Sequence, residues 1–485
     1  MLGKQSDDTE LFQLVTMEML VPANHRLRRL KSVLDLSFVE KCVESLYSRI
    51  GRRSVDPEVV VRMWILMTLH GCSERELCDE MQMHAGFRWF CGLSFNDKVP
   101  DQSTLVKLRT EKWVDSGIWK ALLNETVRAC EAVGITSSGR FGVDGTQILA
   151  NAATVSLEEI PPTLKVEVTE PSAEGGPPLE PGRQSPAAPE LRVEPGGRPR
   201  GKHKSGDPDW HGEKFSNDTH QSTTDPEARL YRKGKQQGAN LRYLGHYMAD
   251  VKSGVIYDAV ATQATGTAER EATIEMLDGL ANRPSELAMD LGYRDGAFLV
   301  EVLQRGVVPL VPIGDEKPEQ VPVWVRQTRD LNRQKWRSEQ AAIARARNAV
   351  RAASKGRRGA RAQRQRTRLE HLFAEGKDHH GLARAQGRGL KRVDQQVKLT
   401  AATQNLKRLI TCGGRRRTPK QATSSLSMAN LAAQRGLSGR LTCIQTRSCR
   451  TCGHNNVYSA KVHARRSHST ANAARRKMGR FPSRF

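Results

Sequence analysis

The chain has 485 residues, with 77 Lys+Arg against 53 Asp+Glu and a formal charge of +24. That length can bury a sizeable core without disulfide staples, and the charge calls for a polyanionic partner, either phosphates or an anionic surface. No run of about 18 apolar residues occurs, which excludes a membrane-spanning helix; the opening residues lack a signal-peptide apolar stretch, and nine scattered cysteines suit a reducing compartment.

Residues 1 to about 120 read as helical. Asp56-Pro57-Glu58 supplies an N-cap, a first-position proline and an acidic first turn. The apolar run from Val59 to Leu69 follows, and Gly71 stops it. Ser73 and Glu76 then form a capping box for a second helix carrying Leu77 and Met81. A third helix is predicted to begin near Asp101. Helix, glycine turn and helix outline either a helix-turn-helix or a plain packing domain.

From Ser138 the period changes. RFGVDGTQILA, residues 140–150, alternates around Asp144 and reads as a β-strand. Residues 155–215, rich in Pro, Gly and Glu, cannot bury enough apolar surface to order themselves and read as a disordered insertion. Tyr243 to Val251 and Val255 to Thr262 form a predicted hairpin about Lys252-Ser253-Gly254. Residues 268–281 have helical spacing, Glu286 to Asp290 is a short strand, 295–305 is helical, and Val307 to Ile313 is another strand. This order implies a mixed sheet with helices on its faces.

Residues 326–368 hold 15 Lys/Arg and only two acids, Asp330 and Glu339. Such a density disfavours a compact core and suits a DNA backbone. A helix is predicted from about Arg364 to Asp378, and a last amphipathic core helix over 395–410. The tail from Cys412 is basic and poorly periodic. Its Cys443, Cys449, Cys452 and His454 hint at zinc, but their spacing is irregular and a second paired half is absent. Trp324 and Trp336, in or near the basic segment, suit either base stacking or ordinary packing.

Phosphodiester chemistry needs an activated oxygen nucleophile and relief for the leaving oxygen, which two hard divalent cations about 3.5–4 Å apart can supply. Such ions prefer carboxylate oxygens, so about three acids must converge from separate elements. Asp144 within its strand, Asp290 at the end of a short apolar strand, and Glu370 amid arginines are the candidates. Arg366 and Lys377 flank Glu370 at helical offsets of about −40° and −20°, so all three share one helix face.

Three segments, FGVDGTQ, ELAMDLGYRD and the Glu370 helix, resemble the DDE transposases of bacterial insertion sequences. The last is similar to the signature Tyr-x₂-Arg-x₃-Glu-x₆-Lys at Arg366, Glu370 and Lys377, with Gln363 in place of the tyrosine. PDQSTLVKLR, STTDPEARLYRKG and RGLKRVDQQVKLTAATQNLKRL extend the likeness over about residues 10–411. It implies an α/β fold with an RNase H-like mixed sheet flanked by helices, preceded by an all-helical N-terminal domain. It implies that Asp144, Asp290 and Glu370 are the catalytic, metal-holding residues, with two Mg²⁺ or Mn²⁺ ions, and that Arg366 and Lys377 bind DNA. Double-stranded DNA, both transposon terminal inverted repeats and target, is the implied partner of a homodimer or larger assembly. The implied location is cytoplasmic, bacterial and nucleoid-associated.

The implied division is a helical DNA-binding or oligomerisation domain at 1–120 and a catalytic core at 137–313 containing the insertion. A basic insertion at 314–363 follows, then the catalytic glutamate helix and last core helix at 364–411, and a basic, disordered tail at 412–485. The tail departs from the family-like pattern after Leu409, as translation in a shifted frame would also produce.

Overall fold

The computed structural model describes residues 15–51, 53–135, 137–160, 215–232, 238–312 and 317–413. Most of the expected insertion and nearly all of the expected tail, including its Cys/His cluster, lie outside the described residues.

The N-terminal helices are α1 Met17–Leu20, α2 Arg26–Val33, α3 Phe38–Val43, α4 Pro57–His70, α5 Glu74–Met83, α6 Ala85–Cys91, α7 Gln102–Lys107 and α8 Ile118–Ala132. Their ends follow local chemistry. The Asp56 side chain accepts from the Glu58 amide, Pro57 opens α4, and Gly71 closes it at φ 67°. The Ser73–Glu76 capping box is formed. α4 buries Val60, Val61, Met63, Trp64, Ile65, Leu66, Met67 and Thr68. Trp64 packs against Trp113 and Trp119, with ring centroids 5.4 and 5.0 Å away. A helix enclosed on so many sides serves as a core rod, and its neighbour α5 exposes Glu76, Asp79 and Glu80.

The main sheet is built around β1 Arg140–Leu149. β1 pairs antiparallel with β5 Asn240–Asp250, which places Gly145 opposite His246. The outer side of β5 carries β6 Ile256–Gln263 and the short β4 Arg229–Tyr231. On its other side β1 runs parallel to β7 Glu286–Ala288, but only from Arg140 to Gly142, and β7 pairs with β8 Val308–Leu310. A separate ribbon joins β2 Leu157–Glu159 to β3 His220–Ser222. β2 lies inside the segment expected to lack order; the Ser156 and Ser222 hydroxyls, 2.7 Å apart, and the Thr223 amide bonded to the Ser156 carbonyl pin it to the resumed chain.

Strand alternation sends Phe141 and Val143 to one face, packed with α9 Ala268–Gly279 and α10 Gly296–Gln304. The other face meets α12 Gly356–His379, α13 Leu390–Gly413 and α8. The last core comprises Ile148, Tyr247, Phe373 and Val397, and it runs without a break into the N-terminal tryptophan cluster. α11, Leu331–Ser354, corrects the expectation that the basic segment makes no core. It buries Ala341, Ala344, Ala346 and Val350 at helical spacing and packs on α10, while Arg333, Lys335, Arg345 and Arg347 stay in water. The Glu370 helix, α12, also starts earlier than its pattern suggests, at Gly356.

α13 is tied to the sheet by Asn405, which is fully buried. Its Oδ1 accepts from the Ile256 amide at 2.9 Å, and its Nδ2 donates to the Ile256 carbonyl at 2.8 Å and to Thr126 Oγ1 of α8 at 3.2 Å. One amide therefore joins a strand and two helices. Asn405→Ala leaves a backbone N–H and C=O buried and unpaired, and is expected to lower unfolding free energy by about 2–4 kcal/mol in urea titrations. A loss below ~0.5 kcal/mol would contradict this reading.

Candidate functional site

β1 carries two glycines around Asp144, and each admits a neighbour. A β-carbon at Gly142 would lie 2.6 Å from Leu369 Cδ1, so its absence lets α12 press on the strand. That approach brings Arg366 and Glu370 over Asp144. Gly145 makes the corresponding room on the opposite face for Glu269 of α9 and His246 of β5. Asp290 lies just beyond β7. Its carboxylate accepts from the Leu291 amide at 2.6 Å and caps the turn Leu291–Tyr293.

Three acids remote in sequence meet one guanidinium here. Arg366 Nη1 lies 2.9 Å from Asp144 Oδ2, and Nη2 lies 3.3 Å from Glu370 Oε1 and 4.0 Å from Asp290 Oδ1. Asp144 is the enclosed member, its side chain 20% exposed, against 55% for Asp290 and 57% for Glu370. Burial pushes the Asp144 carboxyl up. Arg366 and the Gly145 amide oppose that rise, and the Asp290 and Glu370 charges add to it. Glu269 also rises, through burial and then the charges of Asp144 and Asp290. It is a fourth acid at the site that sequence reading missed, because an acid in a helix's first turn is ordinary.

Arg366, expected on a DNA-facing surface, thus turns its guanidinium to the acids. Lys377 lies about three turns further along α12 and lines a different, basic cleft with Arg26, His70, His379 and Lys407. Gln363, at the position of the signature tyrosine, donates to the Met289 and Leu310 carbonyls at 3.2 and 3.1 Å. It fastens α12 to the ends of β7 and β8, next to Asp290. Lys355, Arg357, Arg358, Arg361, Arg364 and Arg368 remain exposed along the same helix. Trp324 and Trp336, both partly exposed, pack together at 5.6 Å, and the Arg337 guanidinium sits 5.0 Å over Trp324.

Among the described residues no three acid, histidine or cysteine side chains already stand as a metal-holding group. The donor set nevertheless fits a hard divalent cation: it consists of carboxylate oxygens, and it is already gathered about a positive charge.

A mixed sheet with three acids gathered about one guanidinium beside its first strand defines an α/β protein with a polar, charge-rich site. Residues 15–111 match the family described as "Transposase domain (DUF772)", and residues 326–410 match the family described as "Transposase DDE domain". The two matches, in this order on one chain, support an insertion-sequence DDE transposase, and transposase domains imply DNA binding. Glu370, Arg366 and Lys377 fall within the second match, whereas Asp144 and Asp290 lie in the stretch between the two. No curated protein and no solved structure matches the chain. No helix among the described residues is long and apolar enough to cross a membrane.

α12 is locked in place through Glu375. Its carboxylate receives Lys407 and Arg408 of α13, the latter at 3.4 Å, and faces His380 Nε2 at 3.8 Å. Burial would raise this carboxyl, but His380, Lys407 and Arg408 outweigh it and hold it well below the usual glutamate range. A depressed folded pKa gives stability that is complete above the unfolded value, about 4.3, and is lost as pH falls toward the folded one. Unfolding free energy is therefore expected to drop between about pH 5 and pH 3, and Glu375→Gln is expected to flatten that slope in denaturant titrations across the window.

Arg366→Ala removes the cation that three acids share. In metal-free buffer it is expected to lower unfolding free energy by about 1–2 kcal/mol, between the values for exposed and buried pairs. Added Mg²⁺ should restore part of the loss. An unchanged urea midpoint without metal would show that the cluster needs no counter-ion.

Proposed function

We propose that the protein is a DNA transposase that hydrolyses phosphodiester bonds at transposon ends and transfers the freed strand into target DNA. The observation that carries this reading is the convergence of Asp144, Asp290 and Glu370 on one guanidinium in a chain with two transposase-family matches. The strand order supports an RNase H-like core: antiparallel β6–β5–β1, followed by parallel β7 and β8, with the first acid on the first strand and the second just after the fourth long-range strand of that order.

In this reading Asp144, Asp290 and Glu370 hold two Mg²⁺ or Mn²⁺ ions, which supply Lewis acidity toward phosphate and an activated hydroxyl. The protein supplies placement. Gly142 lets α12 bring Glu370 against β1, and the Gln363 bonds hold that helix to the strand end bearing Asp290. Arg366 neutralises the acids and keeps them together. Exposed cations of α11 and α12 grip the phosphates of double-stranded DNA beside the acids, and Lys377 extends that grip toward the N-terminal helices. Pairing two DNA ends calls for a homodimer or larger active assembly.

The test incubates purified protein with labelled element ends, target plasmid and Mg²⁺ or Mn²⁺. Wild type is expected to give strand-transfer products. Asp290→Asn and Glu370→Gln should reduce them by at least ~10²-fold, the scale of losing one charge-stabilising group, while still binding DNA. Replacing Arg357, Arg358, Arg361 and Arg364 by alanine should weaken binding and reduce the salt slope by about 0.9 per lost phosphate contact. Cleavage without joining would point to a nuclease on the same scaffold, and full product yield from the acid variants would end the assignment.

A further inference from the structure

We infer that Glu269 is a fourth carboxylate of the acid cluster, sharing with Asp144 the cation that the proposed site would hold, with His246 behind it as a positioning residue. This inference deepens the proposed metal-dependent reading and rests on it.

Glu269 stands in the first turn of α9. A β-carbon at Gly145 would lie 3.1 Å from Glu269 Oε1, so the carboxylate occupies the space that a side chain on the residue after Asp144 would take. β1 can be approached there because its pairing with β7 ends at Gly142. The parallel partner that would have walled off Asp144 from α9 is missing at that level. Glu269 is partly buried, yet among the described residues no ion pair or hydrogen bond engages its carboxylate. A carboxylate withdrawn from water without a cation or donors is costly. Asp144, by contrast, has Arg366.

The second observation is His246. Its side chain is wholly buried, and Nε2 is engaged by Thr262 Oγ1 at 2.8 Å. Nδ1 has no partner and lies 3.1 Å from the same point above Gly145 that Glu269 Oε1 approaches. Burial pushes this imidazole down to about 4, so it is neutral at pH 7. If the Thr262 hydroxyl donates to Nε2, Nδ1 carries the ring proton and is aimed into the gap that Glu269 borders. A fully buried ring nitrogen left unpaired in a native protein calls for an explanation. A donor set aside for a metal-holding carboxylate supplies one, since such outer partners orient ligands.

The test uses the full chain and Mn²⁺ alone, with affinity read by electron paramagnetic resonance titration of free Mn²⁺. Glu269→Gln is expected to weaken Mn²⁺ binding by about 10- to 100-fold, while its urea midpoint without metal stays level or rises because an uncompensated charge is gone. His246→Gln should weaken binding less. Asp144→Asn serves as the control for the underlying reading. Wild-type affinity in Glu269→Gln, alongside lost affinity in Asp144→Asn, overturns this inference and leaves the three-acid site standing. Wild-type affinity in both overturns the site reading and this inference together. Should Glu269→Gln fail to fold, Glu269→Asp replaces it; the shortened side chain must also bind Mn²⁺ more weakly, and undiminished affinity overturns the inference.

Discussion

Several carboxylates cannot share a half-dry space without a cation, and the architecture of this protein is organised around that constraint. Asp144, Asp290 and Glu370 come from a central strand, the exit of a second strand and a long helix, and their charges repel at close range. Arg366 supplies the opposing charge from the same helix as Glu370, one turn away. A guanidinium suits this place because it is planar, permanently charged and able to serve two sides at once. A hard divalent ion is the other species that fits such a ring of oxygens. In the proposed function the two cations would compete for one set of acids, and metal would loosen Arg366 from part of its present partners.

The constraint explains local choices that otherwise look arbitrary. Gly142 and Gly145 flank Asp144 on opposite faces of β1, one admitting Leu369 of α12 and the other Glu269 and His246. β7 covers only the first part of β1, leaving the edge beside Asp144 open. Gln363 bridges the carbonyls at the ends of β7 and β8. An amide is well matched to that job, since one NH₂ group can donate to two carbonyls, those of Met289 and Leu310. Placing the helix accurately is as demanding as supplying its acid, because a ligand set displaced by 1 Å is a poor one.

Much of this was legible in the sequence. The caps at Asp56 and Ser73, the hairpin about Lys252-Ser253-Gly254 and the strand around Asp144 are local signals, written in neighbouring residues. The convergence of Asp144, Asp290 and Glu370 came instead from likeness to a family, since the spacing of acids in the chain says nothing about their distance in space. What escaped reading was set by tertiary context. Glu269 looks like any acid at a helix start until Gly145 is seen beside it. α11 reads as solvated because its arginines dominate the composition, although four small apolar residues on one face suffice to dock it. The family likeness assigns Arg366 to DNA, and the fold adds what the sequence does not show, three acids beside its guanidinium.

The inward turn of Arg366 also divides labour along α12. Gly359, Ala362, Leu369, Leu372, Phe373 and Gly376 bury one side of the helix, Arg366 and Glu370 face the acids, and Arg357, Arg361, Arg364 and Arg368 stay in water. A phosphate backbone laid along the wet cations would pass close to the carboxylates, which repel it. Binding there is favourable only if the acids are already neutralised, whether by Arg366 or by metal. In the proposed function, charge neutralisation at the site and capture of DNA beside it are thus one electrostatic problem. The protein solves it by keeping a cation of its own among the acids.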